Sequence, residues 1–434
     1  MTGAPSRTIA VIGAGYVGLT TAACLSSLGH QVTAADVDAD KVARLGRGEL
    51  PILEEGLGAL VEAGLGSGAL RFTTDAAAAV VGAELVFLCV PTPQGPDGSA
   101  DLRHVEAAAH QISKHLVLGS VVVTKSTVPV GSAAIVEAAL ARPDVAVVSN
   151  PEFLREGCAV DDWLHPDRVV IGATDEEAAA RLAQLYEPLG APVVVTDPVS
   201  AETVKYACNA FLATKVSFVN AVANLCQAVG ADVRDVLLGM SHDSRIGADH
   251  LSPGPGWGGS CLPKDTAALI RIASDHGYDF ALLKEVIAAN EAQFDHVVDR
   301  VEVAVGGILA GARVGVWGLT FKAGTDDLRE SPALSVLRRL AARGAVLRAY
   351  DPTRPDPGDA HLAGLGLEIA DHPLAACEGA DVLVVLTEWP ELAEVDLAKV
   401  AAIMESPAVV DTRNILDPAA VRAAGCRYEG MGRL

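Results

Sequence analysis

Residues 8–18 read TIAVIGAGYVG, and this stretch decides the fold. A β-branched run at Thr8–Ile12 leads into glycines spaced Gly-x-Gly-x-x-Gly, and an apolar helical stretch follows at Leu19–Leu28. Glycines at this spacing permit a tight turn and let the backbone approach a pyrophosphate, which the free N–H groups of the helix N-terminus would bind. The pattern predicts a strand–turn–helix unit that binds a dinucleotide. The residues expected to contact the dinucleotide are Gly13, Gly15, Tyr16, Val17 and Gly18.

A second predicted strand, Gln31–Asp36, ends in an acidic residue about 20 residues beyond the glycines. A carboxylate at this position accepts hydrogen bonds from ribose hydroxyls, which favours NAD over NADP. A glycine-rich turn alone also occurs in loops that bind nothing. The strand before it, the helix after it and Asp36 together favour the dinucleotide site, so NAD is the predicted cofactor.

Three further predicted strands in the N-terminal half end in loops of polar residues and proline. The strands are Ala83–Val90, Ser120–Lys125 and Val145–Ser149, and the loops follow at residues 91–93, 126–129 and 150–152. Proline, serine and asparagine are ordinary turn residues, so a single loop of this kind indicates little. Ligands of open parallel sheets bind at the carboxyl ends of the strands, and we therefore expect these loops to surround one crevice.

The middle of the chain is predicted to be helical, and the C-terminal part repeats the α/β pattern. Ser200–Asn224 contains no glycine or proline and is predicted to form one long helix. Lys205 and Asn209 are four residues apart and therefore share a face of this helix. They are either a pair of functional residues or part of an ordinary polar stripe exposed to solvent. From residue 312, strands and helices alternate again without the Gly-x-Gly-x-x-Gly motif, and Lys322, Arg329 and Arg413 form a predicted basic patch. The fold class is α/β, with two Rossmann-like doubly wound lobes joined by a long central helix and a helical middle domain. The predicted domains are residues 1–199, 200–311 and 312–434.

Composition limits the partners. The 434 residues carry a formal net charge of −22, which disfavours nucleic acid and anionic membranes because the long-range field repels polyanions. No secretory signal pattern is visible, and no apolar stretch reaches the length that spans a bilayer. The 8 cysteines form no Cys-x-x-Cys pair, so we expect reduced thiols in the cytoplasm and no metal site.

Cys261 stands apart from the other cysteines because it follows a run of glycines and precedes two charged residues. Residues 253–265 read PGPGWGGSCLPKD. Glycines at this density let the backbone lie against a ligand. Lys264 and Asp265 are suited to stabilise a thiolate and accept a proton, so the pattern favours a nucleophilic cysteine over a buried structural one.

These motifs resemble the UDP-glucose/GDP-mannose dehydrogenase family, and within it the UDP-glucose 6-dehydrogenase branch. The resemblance runs from Ile9 to about Arg413 and rests on GAGYVG (13–18), CVPTP (89–93), KSTVPVG (125–131), NPEFLREG (150–157), KYACNAFLATK (205–215), SRIG (244–247), GGSCLPKD (258–265) and FKAGTDDLRES (321–331). It implies that C6 of UDP-glucose is oxidised to a carboxylate in two NAD-dependent steps. Cys261 would form a thiohemiacetal and then a thioester, which water would hydrolyse.

The resemblance also implies roles for individual residues. The catalytic residues would be Cys261, Lys205, Asn209, Asp265, Glu152 and Thr127, with Glu152 acting as a general base aided by a raised pKa. The further cofactor contacts would be Asp36, Lys41, Thr92, Thr127, Glu156, Lys264 and Arg329. The substrate would contact Glu152, Phe153, Leu154, Arg155, Glu156, Lys205, Asn209, Arg245, His250, Leu251, Ser252, Pro253, Gly254, Gly258 and Lys322. Arg245 resembles an arginine that reaches the substrate of a neighbouring subunit, which implies a homodimer or higher homo-oligomer.

Two departures from the family pattern and three alternatives qualify this interpretation. Trp257 stands where phenylalanine or tyrosine is commoner, and Glu55 replaces a proline. A β-hydroxyacid dehydrogenase of the 6-phosphogluconate type would need neither Cys261 nor residues 312–434. A catalytically silent sensor of NAD or a nucleotide sugar would be expected to have degenerate motifs. Oxidation of dTDP-glucose, a UDP-N-acetylhexosamine or GDP-mannose by the same chemistry is the nearest competitor.

Overall fold

The computed structural model describes residues 6–95 and 100–433, which divide into two compact units. The first unit contains the chain up to Cys208 together with Ala267–His276. The second contains Asn209–Thr266 together with Gly277–Leu434. The division at residues 1–199, 200–311 and 312–434 stays a prediction.

The first unit is built on an eight-stranded sheet. Its strands are β1 (Thr8–Ile12), β2 (Gln31–Ala35), β3 (Leu70–Thr73), β4 (Leu85–Leu88), β5 (Val121–Thr124), β6 (Ala146–Ser149), β7 (Val169–Ala173) and β8 (Val193–Thr196). They lie in the order β3-β2-β1-β4-β5-β6-β7-β8, and β7 runs antiparallel to β6. The first six strands have the order of a dinucleotide-binding Rossmann sheet, whose ligand crevice lies beside β1 and β4.

Helices cover this sheet because its central strands are apolar on both faces. β4 (LVFL) and β5 (VVVT) are buried at every position, as expected for parallel strands between two helical layers. The helices are α1 (Tyr16–Ser27), α2 (Ala39–Gly46), α3 (Leu57–Ser67), α4 (Ala76–Ala79), α5 (Arg103–Ser113), α6 (Ser132–Leu140), α7 (Ala159–Leu164) and α8 (Glu176–Tyr186), with a 3-10 turn at Glu187–Leu189. Asp38, Asp75 and Asp175 begin three of them by accepting hydrogen bonds from first-turn N–H groups.

Four helices follow in the middle of the chain. They are α9 (Pro198–Val229), α10 (Val233–Ser241), α11 (Leu262–Asp275) and α12 (Ala281–Ala304). With 32 residues, α9 extends beyond the predicted helix at Ser200–Asn224 at both ends. Residues of α9 and α11 contribute to both units.

The second unit contains a six-stranded, fully parallel sheet. Its strands are β9 (Arg313–Trp317), β10 (Val346–Tyr350), β11 (Glu368–Ile369), β12 (Val382–Val385), β13 (Ala408–Asp411) and β14 (Arg427–Gly430). The further helices of this unit are α13 (Pro332–Ala342), α14 (Pro373–Cys377), α15 (Pro390–Ala393), α16 (Leu397–Ile403) and α17 (Pro418–Ala423), with a 3-10 turn at Ala360–Leu362. The order β11-β10-β9-β12-β13-β14 repeats that of the first six strands of the first unit. The prediction of two Rossmann-like lobes with a long helix and a helical middle is therefore confirmed.

No helix in the described part of the chain is both long and apolar enough to cross a membrane. Within the same residues, no cluster of three or more histidine, cysteine, aspartate or glutamate side chains is arranged to hold a metal ion.

Candidate active site

The glycine-rich turn between β1 and α1 has the geometry that a bound dinucleotide requires. Gly13 has φ +98°, and a Cβ there would lie 2.6 Å from the Cys89 carbonyl oxygen. A Cβ at Gly18 would lie 1.8 Å from the Gly13 oxygen, whereas one at Gly15 would meet no atom of the described residues within 4 Å. Gly13 and Gly18 therefore allow the tight turn, and Gly15 keeps the surface of the turn open for a ligand.

The helix that follows this turn begins at Tyr16, and Gly15 occupies its N-cap position. No side chain in the described segments caps α1, so the first-turn N–H groups remain available to phosphate oxygens. The Tyr16 hydroxyl donates to the Glu54 carboxylate, which also accepts the N–H of Gly157 at 2.7 Å. Through this buried carboxylate, the turn is fixed to the end of the 150–157 loop.

Asp36 closes the same turn from the end of β2. Its carboxylate accepts the Ala14 N–H at 2.9 Å, the Asp38 N–H at 3.0 Å and the Lys41 ammonium at 3.0 Å. Burial raises the pKa of Asp36, but these three donors outweigh it and hold the pKa below the usual value. An ionised carboxylate beside the glycines is the expected acceptor for a ribose hydroxyl.

The loops after β4 and β5 meet, as the sequence predicted. The Thr92 hydroxyl donates to the Thr127 carbonyl oxygen at 2.8 Å, and the Ser126 hydroxyl donates to the Val90 oxygen at 2.6 Å. Both loops follow carboxyl ends of adjacent strands, which places them beside the crevice of the sheet.

Glu152 and Lys205 form a buried ion pair. The Lys205 Nζ donates to Glu152 Oε1 at 2.9 Å, and the two side chains are only 4% and 6% exposed. The second carboxylate oxygen accepts the Leu154 N–H at 2.6 Å. Burial raises the pKa of Glu152, but Lys205, the Leu154 N–H and Lys125 more than offset it, so the net pKa is lowered. The expectation of a raised pKa is wrong because the sequence did not reveal this paired ammonium.

Phe153 lies beside this pair, and Arg155 follows it in the same loop. The Arg168 guanidinium stacks on the Phe153 ring at 3.6 Å from the centroid, and the Lys205 Nζ lies 5.6 Å from the same centroid. Arg155 forms a two-pronged ion pair with Asp162 of α7. The loop that contains Leu154 and Glu156 is thus fixed at both ends by side chains outside it.

Cys261 lies at the N-terminus of α11. Its carbonyl oxygen accepts the Asp265 N–H at 2.9 Å, which makes Cys261 the residue that begins the helix. Its side chain is partly exposed, and its sulfur lies 3.6 Å from the Ser260 hydroxyl. The positive end of a helix dipole stabilises a thiolate, so this position suits a nucleophilic cysteine.

Asp265 is fully buried and joins two other predicted site residues. It accepts the Asn209 side-chain amide at 2.6 Å and the Lys264 ammonium at 2.5 Å. These contacts link α9 to the first turn of α11. Asp265, Asn209 and Lys264, all predicted site residues, therefore form one polar cluster.

The glycine-rich loop before Cys261 is held by amides that the sequence analysis missed. Asn290 accepts the Trp257 N–H at 2.8 Å and donates to its carbonyl oxygen at 2.9 Å, and Asn220 accepts the Gly254 N–H at 2.8 Å. The Trp257 indole donates to the Ser217 hydroxyl at 2.8 Å. The only sequence signal was polar residues at buried positions of helices α9 and α12.

The remaining predicted substrate residues take several positions in the second unit. Leu251, Pro253 and Gly254 are buried, whereas Ser252 and His250 are exposed and His250 has φ +56°. A Cβ at Gly258 would lie 2.0 Å from the Glu330 carbonyl oxygen, so the two loops touch through their backbones. Lys322 is partly exposed in the loop after β9.

The predicted basic patch is largely neutralised by local partners. Arg329 pairs with Asp327 at 2.7 Å, and Arg413 pairs with Glu388 at 3.1 Å. Arg413 also lies beside Gly254, because a Cβ built there would be 3.1 Å from its Nη1. Arg245 pairs with Asp243, and its side chain is 87% exposed.

The carboxylate after β10 in the second sheet is occupied differently from the one after β2. Asp351 follows β10 as Asp36 follows β2, yet it is fully buried. Its carboxylate accepts the Leu319 N–H at 2.7 Å and the Trp389 indole N–H at 3.2 Å. Because the protein itself saturates this carboxylate, it is not available to a ribose.

The two sheets of common strand order, the open glycine turn and Asp36 define the class of NAD-dependent dehydrogenases built on two Rossmann-like lobes. The sequence matches the NAD binding domain of the UDP-glucose/GDP-mannose dehydrogenase family at residues 7–190, its central domain at 199–292 and its UDP binding domain at 315–418. The chain belongs to this family, and the prediction of NAD as its cofactor is confirmed.

Individual relatives are similar over almost their whole length. The chain is 46% identical to the UDP-glucose 6-dehydrogenase of Pseudomonas aeruginosa, with 98% of this chain and 97% of the relative covered. It is 44% identical to the UDP-glucose 6-dehydrogenase TuaD of Bacillus subtilis, with 98% and 93% covered. The solved structure of a UDP-glucose dehydrogenase from Pyrobaculum islandicum is 38% identical, with a TM-score of 0.90 and coverage of 100% and 99%.

Proposed function

We propose that this protein oxidises the C6 alcohol of UDP-glucose to a carboxylate, giving UDP-glucuronate and two NADH. The observation that carries the proposal is Cys261 at the N-terminus of α11, one helical turn before the buried cluster of Asp265, Asn209 and Lys264. A two-electron dehydrogenase needs no such thiol. The names of the relatives at 44–46% identity support UDP-glucose as the substrate.

NAD fits the first unit because the Gly15 surface is open and α1 begins with available N–H groups. Gly13, Gly15, Tyr16, Val17 and Gly18 would hold the pyrophosphate, and Asp36 with Lys41 would hold the adenosine ribose. Thr92, Thr127, Glu156, Lys264 and Arg329 would complete the contacts. When bound, NAD accepts a hydride from the carbon that is oxidised.

Cys261 explains how one site performs two oxidations. Loss of a hydride from C6 and of a proton from its hydroxyl group gives an aldehyde. The thiolate adds to this carbon, and the oxygen takes up a proton to form a thiohemiacetal. A second loss of hydride and a proton gives a thioester, and water then displaces the thiolate to leave the carboxylate. The thiol is regenerated, so the balance is one alcohol and one water consumed for each carboxylate formed.

Lys205 and Asn209 supply donors for the oxyanions of these steps. They lie one turn apart on α9, with an ammonium and an amide respectively. Asp265 and Thr127 would position water and relay protons. Glu152 would accept the proton of the attacking water, and its lowered pKa keeps the carboxylate ionised and able to do so.

The proposed substrate contacts combine donors with a glycine-rich backbone. Phe153, Leu154, Arg155 and Glu156 follow Glu152 in one loop, and Leu251, Ser252, Pro253, Gly254 and Gly258 with His250 and Lys322 belong to the other unit. The clamp of Asn290, Asn220 and Ser217 on the second loop fixes its backbone, which reduces the entropy lost on binding.

A homodimer or higher homo-oligomer is proposed because α9 presents apolar side chains to solvent. Phe211, Phe218, Leu225 and Val229 recur at spacings of seven and four residues, share one face of the helix and are 57–67% exposed. Such an exposed apolar stripe on an acidic protein is typical of an interface. Arg245, extended from the same unit, would reach the substrate of the neighbouring subunit.

The proposed location is the cytoplasm, with neither nucleic acid nor membrane as a partner. No disulfide joins any of the eight cysteines, all of which lie in the described segments, and this fits a reducing compartment. The net charge of −22 opposes binding to polyanions.

The proposal is tested by offering UDP-glucose, dTDP-glucose, UDP-N-acetylglucosamine and GDP-mannose to the purified protein with NAD and following NADH absorbance. We expect the highest kcat/KM with UDP-glucose. dTDP-glucose differs from UDP-glucose by a methyl group on the base and by the missing ribose 2′-hydroxyl. The methyl group alone should disfavour it by about 10-fold to 200-fold. A preference for the acetylated or guanosine sugar would contradict the substrate assignment.

A further inference from the structure

A second buried lysine lies beneath the predicted catalytic residues of the first unit. Lys125 follows β5 and is 5% exposed. Its Nζ donates to Asn150 Oδ1 at 3.2 Å and to the Tyr186 hydroxyl at 3.4 Å. An ammonium that is removed from water in this way is costly unless it is paired, so its retention needs an explanation.

Asn150 is the centre of this network. Its Oδ1 accepts the Tyr186 hydroxyl at 2.6 Å as well as Lys125, and its Nδ2 donates to the Val170 carbonyl oxygen at 2.8 Å. Its backbone N–H donates to the Thr124 oxygen at 2.9 Å. Every polar group of the side chain is therefore engaged, and Asn150 starts the loop that contains Glu152 two residues later.

Titratable groups face Lys125 from each neighbouring element, and two of them, Cys89 and Tyr186, are kept neutral because burial raises their pKa values. Cys89 follows β4, Glu152 follows β6, Lys205 lies on α9 and Tyr186 ends α8. Burial lowers the pKa of Lys125 to about 8, with Cys89 and Glu152 favouring its charged form and Lys205 opposing it. Lys125 in turn is one of the cations that lower the pKa of Glu152, alongside Lys205.

We propose that Lys125 is a positioning residue for Glu152, holding its loop through Asn150 and keeping its carboxylate ionised by a second buried positive charge. The inference rests on the proposed function, in which Glu152 accepts the proton of the hydrolytic water. Lys205 alone would serve both as the partner of Glu152 and as an oxyanion donor. Lys125 maintains the charge of Glu152 while Lys205 is engaged with the substrate oxygen.

The test is the pH dependence of kcat for Lys125→Gln and Lys125→Arg. Removing a nearby positive charge raises a carboxyl pKa, so we expect the acidic limb of Lys125→Gln to move up by about one pH unit. Lys125→Arg keeps the charge and should keep the wild-type limb, although its longer side chain lowers kcat. Lys125 is protonated throughout this acidic range because its own pKa is about 8.

Two controls separate this role from a structural one. Tyr186→Phe removes a neutral donor from the same Asn150 oxygen and should leave the limb in place. Glu152→Gln removes the group that titrates, so adding Lys125→Gln to it should move nothing further. If Lys125→Gln does not fold by circular dichroism, Asn150→Asp, which places a negative charge on the Lys125 ammonium, should shift the limb in the same direction.

If the acidic limb of the kcat profile does not move in Lys125→Gln, or if it moves equally in Tyr186→Phe, the inference is overturned while the proposed function stands. A wild-type protein that forms no NADH from any nucleotide sugar would instead remove the proposed function, and the inference with it.

Discussion

Lys205 and Glu152 are energetically coupled because both are buried. Removing one partner leaves an uncompensated charge in a nonpolar environment, whereas removing both does not. Lys205→Met should therefore lower the free energy of unfolding by about 3–5 kcal/mol, and Lys205→Met combined with Glu152→Gln should recover most of it. Urea denaturation of the three proteins at pH 7 measures both values; equal losses in the single and double variants would contradict the buried pair.

The ion pair of Lys205 and Glu152 also determines how the free energy of unfolding changes with pH. The folded pKa of Glu152 lies below its ordinary value of 4.5, so the pair contributes stability above that pH and loses it as the pH falls through the folded pKa. The difference between wild type and Lys205→Met should accordingly shrink in acid.

For individual residues, the sequence predicted which side chains belong to the site but not which side chains they contact. Residue spacing and resemblance predicted Cys261, Glu152 and Asp265. The hydrogen bond between Asn209 and Asp265 joins residues 56 positions apart, and the pairing that lowers the Glu152 pKa joins residues 53 apart. Such contacts depend on how the helices pack, which local patterns do not encode.

Among the elements, the loop before α11 requires glycine at a definite position. A Cβ at Gly258 would lie 2.0 Å from the Glu330 backbone oxygen, so Gly258→Ala must displace one of two backbones. We expect kcat/KM to fall by about 100-fold, since a displacement near 1 Å has that effect on positioned groups. NAD affinity, measured by fluorescence titration, should fall much less, because the glycine turn of α1 and Asp36 belong to the first unit and only the proposed contacts of Lys264 and Arg329 lie near the displaced loops.

Gly239 provides the matched control. It lies within α10 in the same unit, and a Cβ there meets no atom of the described residues within 4 Å. Gly239→Ala should leave kcat/KM unchanged and stabilise the helix by about 0.5–1 kcal/mol. Similar activity in the two alanine variants would refute the role of the close contact.

Strands were predictable where apolar runs were bounded by glycine or charge. β1 has the predicted bounds, and β2 ends at Ala35, one residue before the predicted end at Asp36. β3, β7, β8, β11 and β14 were missed. β8 is an edge strand whose valines are 37–57% exposed, and the antiparallel pairing of β6 with β7 is set by tertiary packing.

At the scale of the whole molecule, the apolar stripe of α9 and the exposed Arg245 predict that the active species contains two chains. Arg245→Ala and Cys261→Ala should each be inactive alone. If Arg245 acts across an interface, a mixture unfolded and refolded together in equal amounts should regain about a quarter of the wild-type activity, since one site of each hybrid dimer is intact. Phe218→Glu places a charge in the apolar stripe and should give monomers in sedimentation experiments. A mixture that stays inactive, together with a Phe218→Glu variant that remains a dimer, would contradict this assembly.

The acidity of the molecule does not prevent it from binding two pyrophosphate-containing ligands. The net charge of −22 describes the surface, where most arginines are paired with carboxylates. The proposed anion contacts are local instead: the N-terminus of α1 for NAD, and Lys205, Lys264 and Lys322 among the described cations. This distinction between bulk and local charge could be predicted from the sequence. The ion pairs of Arg329 with Asp327 and of Arg413 with Glu388 could not.

In the proposed mechanism, one site removes four electrons from each sugar through a thioester on Cys261. The decisive experiment supplies a limiting amount of UDP-glucose with excess NAD, measures NADH by absorbance and traps aldehyde with a hydrazine. We expect two NADH for each UDP-glucose consumed, no trapped aldehyde, and no carboxylate formed by Cys261→Ala. One NADH for each sugar, with aldehyde accumulating, would refute the thioester mechanism.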